Sequence, residues 1–384
     1  MVRLVRKGKS LREVAKHFGV NHRTVSLWVK RARGQRLDRV DFSDKARTAP
    51  PVNKTSDTVE KQILDMRRYL KEDSDHGEHR AEMIRHELTI REKSNIPSVR
   101  TIGRILDRHG VLDGKRRVRR KAPPKGWYLP DVAAFEADID SFDVIEDMRI
   151  KNGPLIDVLT VTSVLGRLPG AWPVEGGIRA RFVLETLLCH WREHGLPDYV
   201  QFDNDTRFHG PHHLPDVIGR VVRLSLSLGV TPVFAPPAQH GFQASIENFN
   251  GRWEKKVWSR FHHHSLPELC QRSQKYLAAL RRLHAVTIEN APPRRDFPQD
   301  WELDLQKHPS GRIIYLRRST DKGSVSFLGH TFQVDSRRPN RLVRCEVDLD
   351  ENEIRFFALR RREPQQQPML NTLQHEMPKR KFHE

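Results

Sequence analysis

Near the start of the chain, apolar residues recur at helical spacing on a face formed by Leu11, Val14, Ala15 and Phe18. Ser10 precedes this face and Glu13 follows three residues later, which is the spacing of a capping box. Gly19 is placed to end the helix, and Asn21 is placed to cap a second, basic one. The pattern predicts a helix-turn-helix unit over residues 1–40, with a helical hairpin carrying solvated lysines as the alternative.

Basic side chains in three segments are candidate phosphate contacts. The first group lies on the second helix: Arg23, Lys30, Arg31 and Arg33. After a polar linker over 41–57, a second helical unit (winged or helix-turn-helix-like) is predicted over 58–113, with Ser98 capping a helix that carries Arg100 and Arg104. A basic linker over 114–130 supplies the third group: Arg116, Arg117, Arg119, Arg120 and Lys121. A solvated linker is the simpler interpretation, but two neighbouring DNA-binding units favour phosphate contact.

From about residue 131, apolar runs of strand length alternate with helical patterns. This alternation predicts an α/β domain with a central sheet over 131–285. An irregular connector follows over 286–310, and short β-rich runs broken by turn residues predict a small β-barrel over 311–363. The glutamine-containing tail over 364–384 is predicted to be disordered. The predicted fold class is therefore multidomain: N-terminal all-α helix-turn-helix units, a central α/β core and a C-terminal small β-barrel.

The net charge of the chain indicates which class of partner it binds. The 384 residues carry a formal net charge of +19 with a pI near 10.1, which favours a polyanionic partner. An anionic membrane surface is the competitor, but the sequence has no 18-residue apolar run, and its basic start lacks the apolar segment of a signal peptide. The cysteines are scattered, which argues against a disulfide framework and a structural zinc site and favours a reducing cytoplasm.

Three acidic residues stand apart within the α/β segment. Asp138 lies in the strand-like run FEADIDSF, Asp203 ends the strand YVQFD, and Glu247 lies on a helix beside an apolar stripe. Alone, each is more often a cap, a turn former or a solvated side chain. Together they form an all-oxygen ligand set, which suits Mg²⁺ or Mn²⁺ rather than zinc. Two such ions can support in-line displacement at phosphorus, and they would reconcile a carboxylate cluster with a polyanionic substrate.

Two groups of histidines invite a zinc interpretation. They are His209, His212 and His213, and the run from His262 to His264. No cysteine partner and no regular ligand spacing accompany them. We expect them to lie in surface loops or to contact phosphate.

The segment from Phe135 to about Phe261 resembles the integrase core of DDE transposases of bacterial insertion sequences, which are related to retroviral integrases. FEADID resembles the first strand of that core, VQFDNDTRF its Asp-Asn-Gly-x-x-Phe motif, and GFQASIENFNGRWEKKV its glutamate helix. The resemblance implies an RNase H-like fold and assigns Asp138, Asp203 and Glu247 as catalytic, metal-binding residues. Asp205 departs from the motif, because it stands where a glycine is usual.

The resemblance implies a DNA transposase or integrase that cleaves and joins strands at the ends of a mobile element, with Mg²⁺ or Mn²⁺ as cofactor, two ions in number. It implies double-stranded DNA as partner (terminal repeats and target) and a homo-oligomer on DNA, and it leaves open whether an accessory ATPase is also a partner. The expected location is the bacterial cytoplasm, at the nucleoid. Two alternatives remain: a catalytically weak or domesticated transposase acting as a DNA-binding regulator, and a structure-specific nuclease. The intact carboxylates argue against the first, and the additional DNA-binding units argue against the second.

Overall fold

The computed structural model describes residues 1–43, 55–91, 95–112, 122–211 and 214–378. It divides into two compact units, Met1–Gln62 and Ile63–Glu384. Within the described ranges, no helix is both long enough and apolar enough to cross a membrane.

Three helices at the N-terminus confirm the predicted helix-turn-helix pattern: α1 Val2–Arg6, α2 Leu11–Phe18 and α3 His22–Arg31. The Ser10 hydroxyl accepts a hydrogen bond from the Glu13 backbone N–H at 3.2 Å, and the Glu13 carboxylate accepts one from the Ser10 N–H at 2.9 Å. Gly19 ends α2 in the left-handed region at φ 62°, which costs glycine little. The Asn21 side chain caps α3 by accepting from the Arg23 N–H.

A second helical segment consists of α4 Asp57–Glu72, α5 Ala81–Ile90 and α6 Val99–Arg108. Ser98 caps α6 as predicted, because its hydroxyl accepts from the Thr101 N–H. Each of these helices has a fully buried isoleucine: Ile63, Ile84 and Ile102.

The α/β region follows with helices α7 to α13: Pro130–Ala133, Ala180–His194, Thr206–His209, Arg220–Ser227, Ala244–Trp253, Leu266–Leu283 and Ala285–Glu289. A π-helical turn, Glu254–Trp258, extends α11. Strands β1 to β6 are Ile139–Arg149, Leu155–Ser163, Pro169–Glu175, Tyr199–Phe202, Thr231–Phe234 and Arg312–Arg318. Strands β7 to β11 are Ser324–Phe327, His330–Gln333, Leu342–Asp348, Glu353–Ala358 and Met369–Gln374.

Nine of these strands form one mixed sheet in the order β11-β10-β9-β6-β5-β4-β1-β2-β3, while β7 and β8 pair separately. Strands β1, β4, β5 and β6 run parallel to one another, and the flanking pairs are antiparallel. Buried side chains of α8 and α10 pack on one face of the sheet, and those of α11 and α12 pack on the other. The core therefore has helices on both faces of its sheet, as the alternation of strands and helices predicted.

The predicted small β-barrel over 311–363 is wrong. Strand β6 pairs in parallel with β5, with Val233 opposite Ile314 and Phe234 opposite Tyr315, so the C-terminal strands extend the central sheet. Five consecutive residues of β6 are buried, which requires cover on both faces. Phe356 on β10 belongs to the same core as Phe142 on β1.

The predicted disorder over 364–384 is also wrong for its described part, which ends at residue 378. Strand β11 pairs with β10, with Ile354 opposite Leu373. Gln365 donates a side-chain hydrogen bond to the Pro130 carbonyl at 2.7 Å. Backbone pairing, which composition does not report, orders this segment.

The predicted basic linker over 114–130 ends inside the core. Trp127, Tyr128 and Leu129 are buried, and the Tyr128 hydroxyl donates to Gln201 on β4 at 2.6 Å. Residues 113–121 lie outside the described residues.

The loop between α4 and α5 is held by basic side chains at the end of α11. Arg252 pairs with Glu78 at 3.0 Å, Lys256 donates to the Gly77 carbonyl at 2.6 Å, and Arg260 donates to the Ser74 carbonyl at 2.7 Å. These basic side chains therefore fix the loop of the second helical segment.

Candidate active site

The predicted DNA-contacting residues of α3 and of the turn that follows it are mostly on the surface. Arg23, Lys30 and Arg33 are exposed. Arg31 is half-buried, because its guanidinium donates to the Ser43 carbonyl at 2.8 Å and lies 4.7 Å from the centre of the Trp28 ring. Three of these four cations are therefore presented to solvent, and the fourth also has a structural partner.

Arg100 and Arg104 lie on the exposed side of α6, whose opposite side buries Ile102 and Ile105. The remaining predicted phosphate contacts lie outside the described residues: Arg116, Arg117, Arg119, Arg120 and Lys121.

Asp203 immediately follows β4, as predicted. Val200 and Phe202 point into the core beneath α8 and α10, so the side chain of Asp203 emerges on the opposite face, the one shared with Gln201. Burial raises the pKa of Asp203, and the nearby charges of Asp205 and Glu146 raise it further, while a hydrogen bond from the Asp205 N–H lowers it.

Asp138 does not join Asp203, and the prediction that the two share a site is wrong. Ile139 lies opposite Tyr199 in the β1–β4 pair, and the Asp138 N–H donates to Asp198. Asp138 is therefore at the start of the paired strands and Asp203 at their end, roughly 16 Å away at the usual rise per residue. No pair of ions about 4 Å apart could connect them.

Asp138 instead holds a buried turn. Its carboxylate accepts hydrogen bonds from the backbone N–H groups of Ile139 at 2.8 Å, Leu165 at 3.0 Å and Gly166 at 3.3 Å. Burial raises its pKa, and the bonds from Leu165 and Ile139 oppose this. These contacts give Asp138 a structural function.

The carboxylate of Asp140 is also engaged by other side chains of the protein. It is fully buried and ion-paired with Arg294, and the Trp191 indole N–H donates to it at 3.2 Å. Although burial alone would raise its pKa, Arg294 and His190 hold the pKa of this carboxyl well below its usual range.

Asp143 is the residue that the sequence analysis missed. It lies on β1 opposite Thr160, and extending the β1–β4 register by two residues places it beside Asp203. Burial, together with the charges of Asp203 and Glu247, raises the pKa of Asp143 to about 6. A local signal was present: each strand has a buried phenylalanine followed by an aspartate, Phe142–Asp143 and Phe202–Asp203, and the two rings lie 6.0 Å apart.

Glu247 lies in the first turn of α11 and is exposed. Asn250, one turn further on the same helix, donates a hydrogen bond to the Asp143 carboxylate at 2.8 Å. Thr160 in turn donates to the Asn250 carbonyl oxygen at 2.8 Å, which fixes the amide orientation. Helix α11 thereby brings Glu247 to the face of the sheet that carries Asp143 and Asp203.

Asp205, the residue found in place of the usual glycine, is not strained. Its φ is −65°, and its side chain caps α9 by accepting from the Arg207 N–H at 2.7 Å. It also pairs with the Arg207 guanidinium, which makes a second ion pair with Glu146 at 2.9 Å. Asp205 is thus neutralised and directed away from the role of a metal ligand.

The predicted surface position of His209 is wrong, because it is buried against the rings of Phe234 and Tyr315 at centroid distances of 4.8 and 5.7 Å. His212 and His213 lie outside the described residues.

Residues 1–40 match the family model described as a homeodomain-like domain. A comparison with curated proteins found no match. Among solved structures, an intasome of simian T-cell lymphotropic virus in complex with PP2A regulatory subunit B56 gamma is similar, with a TM-score of 0.36, 13% identity, and coverage of 68% of this chain and 84% of that one.

Two integrase catalytic core domains are also similar. The BIV core has a TM-score of 0.30 and 14% identity over 38% of this chain and 83% of its own. The HTLV-2 core, solved with magnesium in a dimeric form, has a TM-score of 0.30 and 14% identity over 43% of this chain and 91% of its own. The chain is thus similar to homeodomain-like domains over its first 40 residues, and its structure is similar to retroviral integrases.

Proposed function

We propose that the protein is a DNA transposase or integrase whose metal-binding carboxylates are Asp143, Asp203 and Glu247. The observation that carries the proposal is the meeting of these acidic residues on one face of the sheet, where the charges of Asp203 and Glu247 add to burial in raising the pKa of Asp143. In a chain of formal net charge +19, a local excess of negative charge requires a cation as its partner.

The site fits divalent ions by its donor chemistry. Its ligands are carboxylate oxygens, which suit Mg²⁺ or Mn²⁺. The oxygens of the three residues do not all lie within 4.8 Å of one another in the described structure, so one ion would not contact all three as they stand. When bound, such ions activate an attacking oxygen and stabilise a leaving oxygen at phosphorus.

Around this set, the chain's own residues fix and isolate the ligands. The Asn250 amide donates to one oxygen of Asp143 at 2.8 Å, and the Val144 backbone N–H donates to the other at 2.9 Å, so both oxygens are oriented. Arg207 pairs with both Asp205 and Glu146, so a cation of the chain itself already engages these two acids. Asn204 donates to the Ala235 carbonyl at 2.7 Å and accepts from Arg317 at 2.8 Å, which anchors the backbone next to Asp203.

We further propose that double-stranded DNA is held by exposed cations of α3 and α6, with phosphate contacts from the basic segment Arg116–Lys121. Arg23, Lys30, Arg33, Arg100 and Arg104 carry the described part of this contact. The expected working form is a homo-oligomer on the element's terminal repeats and target, with an accessory ATPase as a further partner. Because the contact is to phosphate, affinity for DNA should fall steeply as salt increases.

The test is cleavage and joining of duplex DNA that carries the inverted repeats flanking the gene, with Mg²⁺ or Mn²⁺ and with EDTA. Asp143→Asn and Asp203→Asn should lower the rate by at least about a thousandfold while a gel-shift assay shows unchanged DNA binding. Asp138→Asn, if folded, should retain activity. Metal-independent cleavage would overturn the proposal. DNA binding without cleavage under any condition would favour a domesticated DNA-binding regulator instead.

A further inference from the structure

Two histidines and an aspartate from distant parts of the chain meet away from the candidate active site. His330 Nε2 lies 3.0 Å from one carboxylate oxygen of Asp216, and His375 Nε2 lies 2.8 Å from the other. Asp216 is in the loop between α9 and α10, His330 begins β8, and His375 directly follows β11. Among the described residues, this is the one group of three potential ligands whose ligand atoms all lie within 4.8 Å of one another.

Backbone contacts hold Asp216 and His330 in place. The Asp216 N–H donates to the Leu328 carbonyl at 3.0 Å, and Asp216 occupies the left-handed region at φ 56°, a conformation that a non-glycine residue adopts at a cost. The turn before His330 presses closely on this loop, because a Cβ at Gly329 would come 2.8 Å from the Pro215 Cα. The carboxylate and the first imidazole are thus positioned by their backbones.

His375 is positioned by separate contacts. Its N–H donates to the Asn352 carbonyl at 2.8 Å, and the edge of its ring meets Phe332 at a centroid distance of 5.5 Å. The rings of His330 and His375 lie 5.4 Å apart at an interplanar angle of 72°, so both present Nε2 to the same carboxylate. This is the preorganisation that a metal site requires.

The ligand chemistry selects the ion. Imidazole nitrogen with one carboxylate suits a first-row transition metal and not Mg²⁺. The side chains of Asp216 and His375 are only 14% and 16% exposed, while that of His330 is 37% exposed. Two imidazoles and one carboxylate with a water molecule in the fourth position form a known tetrahedral Zn²⁺ ligand set, and the exposed part of His330 gives solvent access to the group. Ligand atoms around zinc lie about 3.3 Å apart at the usual bond lengths, a small expansion of the present group.

We propose that Asp216, His330 and His375 bind one Zn²⁺ ion, with a water molecule as the fourth ligand. The ion ties the β7–β8 hairpin and the end of β11 to the loop before α10. Strand β11 is the edge of the nine-stranded sheet and carries exposed side chains, so it gains most from such a tie. The site is independent of the carboxylates proposed for DNA chemistry.

The test uses the full chain, stripped with a chelator, and needs no DNA. Isothermal titration with ZnCl₂ should show one tight equivalent, and Co²⁺ should give the absorption spectrum of a tetrahedral complex. His330→Gln and His375→Gln should each weaken Zn²⁺ binding by at least about tenfold. Because a glutamine amide can still donate to Asp216, these variants remove the ligand while allowing the hydrogen bond. His262→Gln, an exposed histidine elsewhere, is the matched control and should bind Zn²⁺ as the unaltered chain does.

Hydrogen exchange supplies a second readout, which does not depend on affinity. Zn²⁺ should slow exchange in residues 369–378 of the unaltered chain, but not in His330→Gln, whose more exposed side chain makes it the variant least expected to unfold. The proposal is overturned if Zn²⁺ binds to His330→Gln and His375→Gln as tightly as to the unaltered chain, because the ion would then bind at another position. It is also overturned if the chain binds no Zn²⁺, which would leave a hydrogen-bonded contact only.

Discussion

The two ends of strand β1 place an aspartate in opposite electrostatic environments. Asp138, at the start, is buried and accepts three backbone N–H bonds. Asp143, five residues later, accepts hydrogen bonds from the Val144 N–H and the Asn250 amide, and the charges of Asp203 and Glu247 act on it as well. The first environment satisfies a negative charge, and the second accumulates it. A carboxylate left with an excess of like charge indicates a cation site, whereas a satisfied one indicates structure.

The largest expected effect on stability comes from the most completely satisfied carboxylate. Asp140→Ala removes the partner of Arg294, whose side chain is only 14% exposed, and leaves a buried cation unpaired. We expect the free energy of unfolding to fall by about 3–5 kcal/mol, measured by urea denaturation. The double variant Asp140→Leu, Arg294→Met should recover much of this loss. An unchanged midpoint in Asp140→Ala would contradict the account.

Asp138→Asn should lower the free energy of unfolding by a smaller amount. The amide oxygen can still accept a backbone bond, but the amide N–H₂ then faces a donor, so the loss is about 1–3 kcal/mol. Metal-dependent properties should be unaffected, and this separates a structural residue from a ligand. Loss of metal binding in a folded Asp138→Asn protein would refute the assignment.

Asp143→Asn should increase the free energy of unfolding at neutral pH, whereas the two variants above should decrease it. Because the folded-state pKa of Asp143 is raised from 3.8 to about 6, the folded chain holds a proton that the unfolded chain has lost between these values. Stability without metal is therefore lost as pH rises from about 4 to above 6. The amide variant should lack this loss and be more stable at pH 7.5, by on the order of 1–2 kcal/mol after allowance for solvent screening. Thermal melts from pH 4.5 to 8 in EDTA check it; equal pH dependence in both proteins would contradict it.

The smallest effect on stability is expected at Thr160, whose hydroxyl donates to the side chain of Asn250. Thr160→Val keeps the shape but removes the hydroxyl that orients Asn250, at a cost of about 1 kcal/mol. Its signature is a weaker dependence of melting temperature on Mn²⁺, since Asp143 is then less well positioned. Thr162→Val, two residues along the same strand and also buried, is the matched control. Equal Mn²⁺ responses in the two variants would show that Thr160 has no positioning role.

Local patterns predicted the elements well where the deciding interactions are local. The capping box at Ser10, the cap at Asn21 and the cap at Ser98 all depend on residues within a few positions. The barrel over 311–363 failed because alternation shows that a strand exists, but not which strand it joins. Only the long-range pairing of Ile314 with Val233 makes β6 a central strand.

The residues of the candidate site also divide into those that local patterns predicted and those that depend on long-range strand pairing. Asp203 and Glu247 are where the sequence indicated, on the strand end and the helix. The run from Asp138 to Asp143 contains three aspartates, and the choice among them depends on the register with β4. The side chains of Asp138 and Asp143 are five residues apart and so point to opposite faces of the strand. The repeated Phe–Asp pair at Phe142 and Phe202 was the usable local signal.

The central claim is that Asp143, and not Asp138, completes the cation site with Asp203 and Glu247. Its most direct test is Mn²⁺ binding at pH 8, measured by titration of the free ion in a His330→Gln background that removes the imidazole site. We predict that Asp143→Asn weakens Mn²⁺ binding by at least about tenfold, and that Asp138→Asn changes it by less than about twofold. The reverse order in two folded proteins would contradict the account.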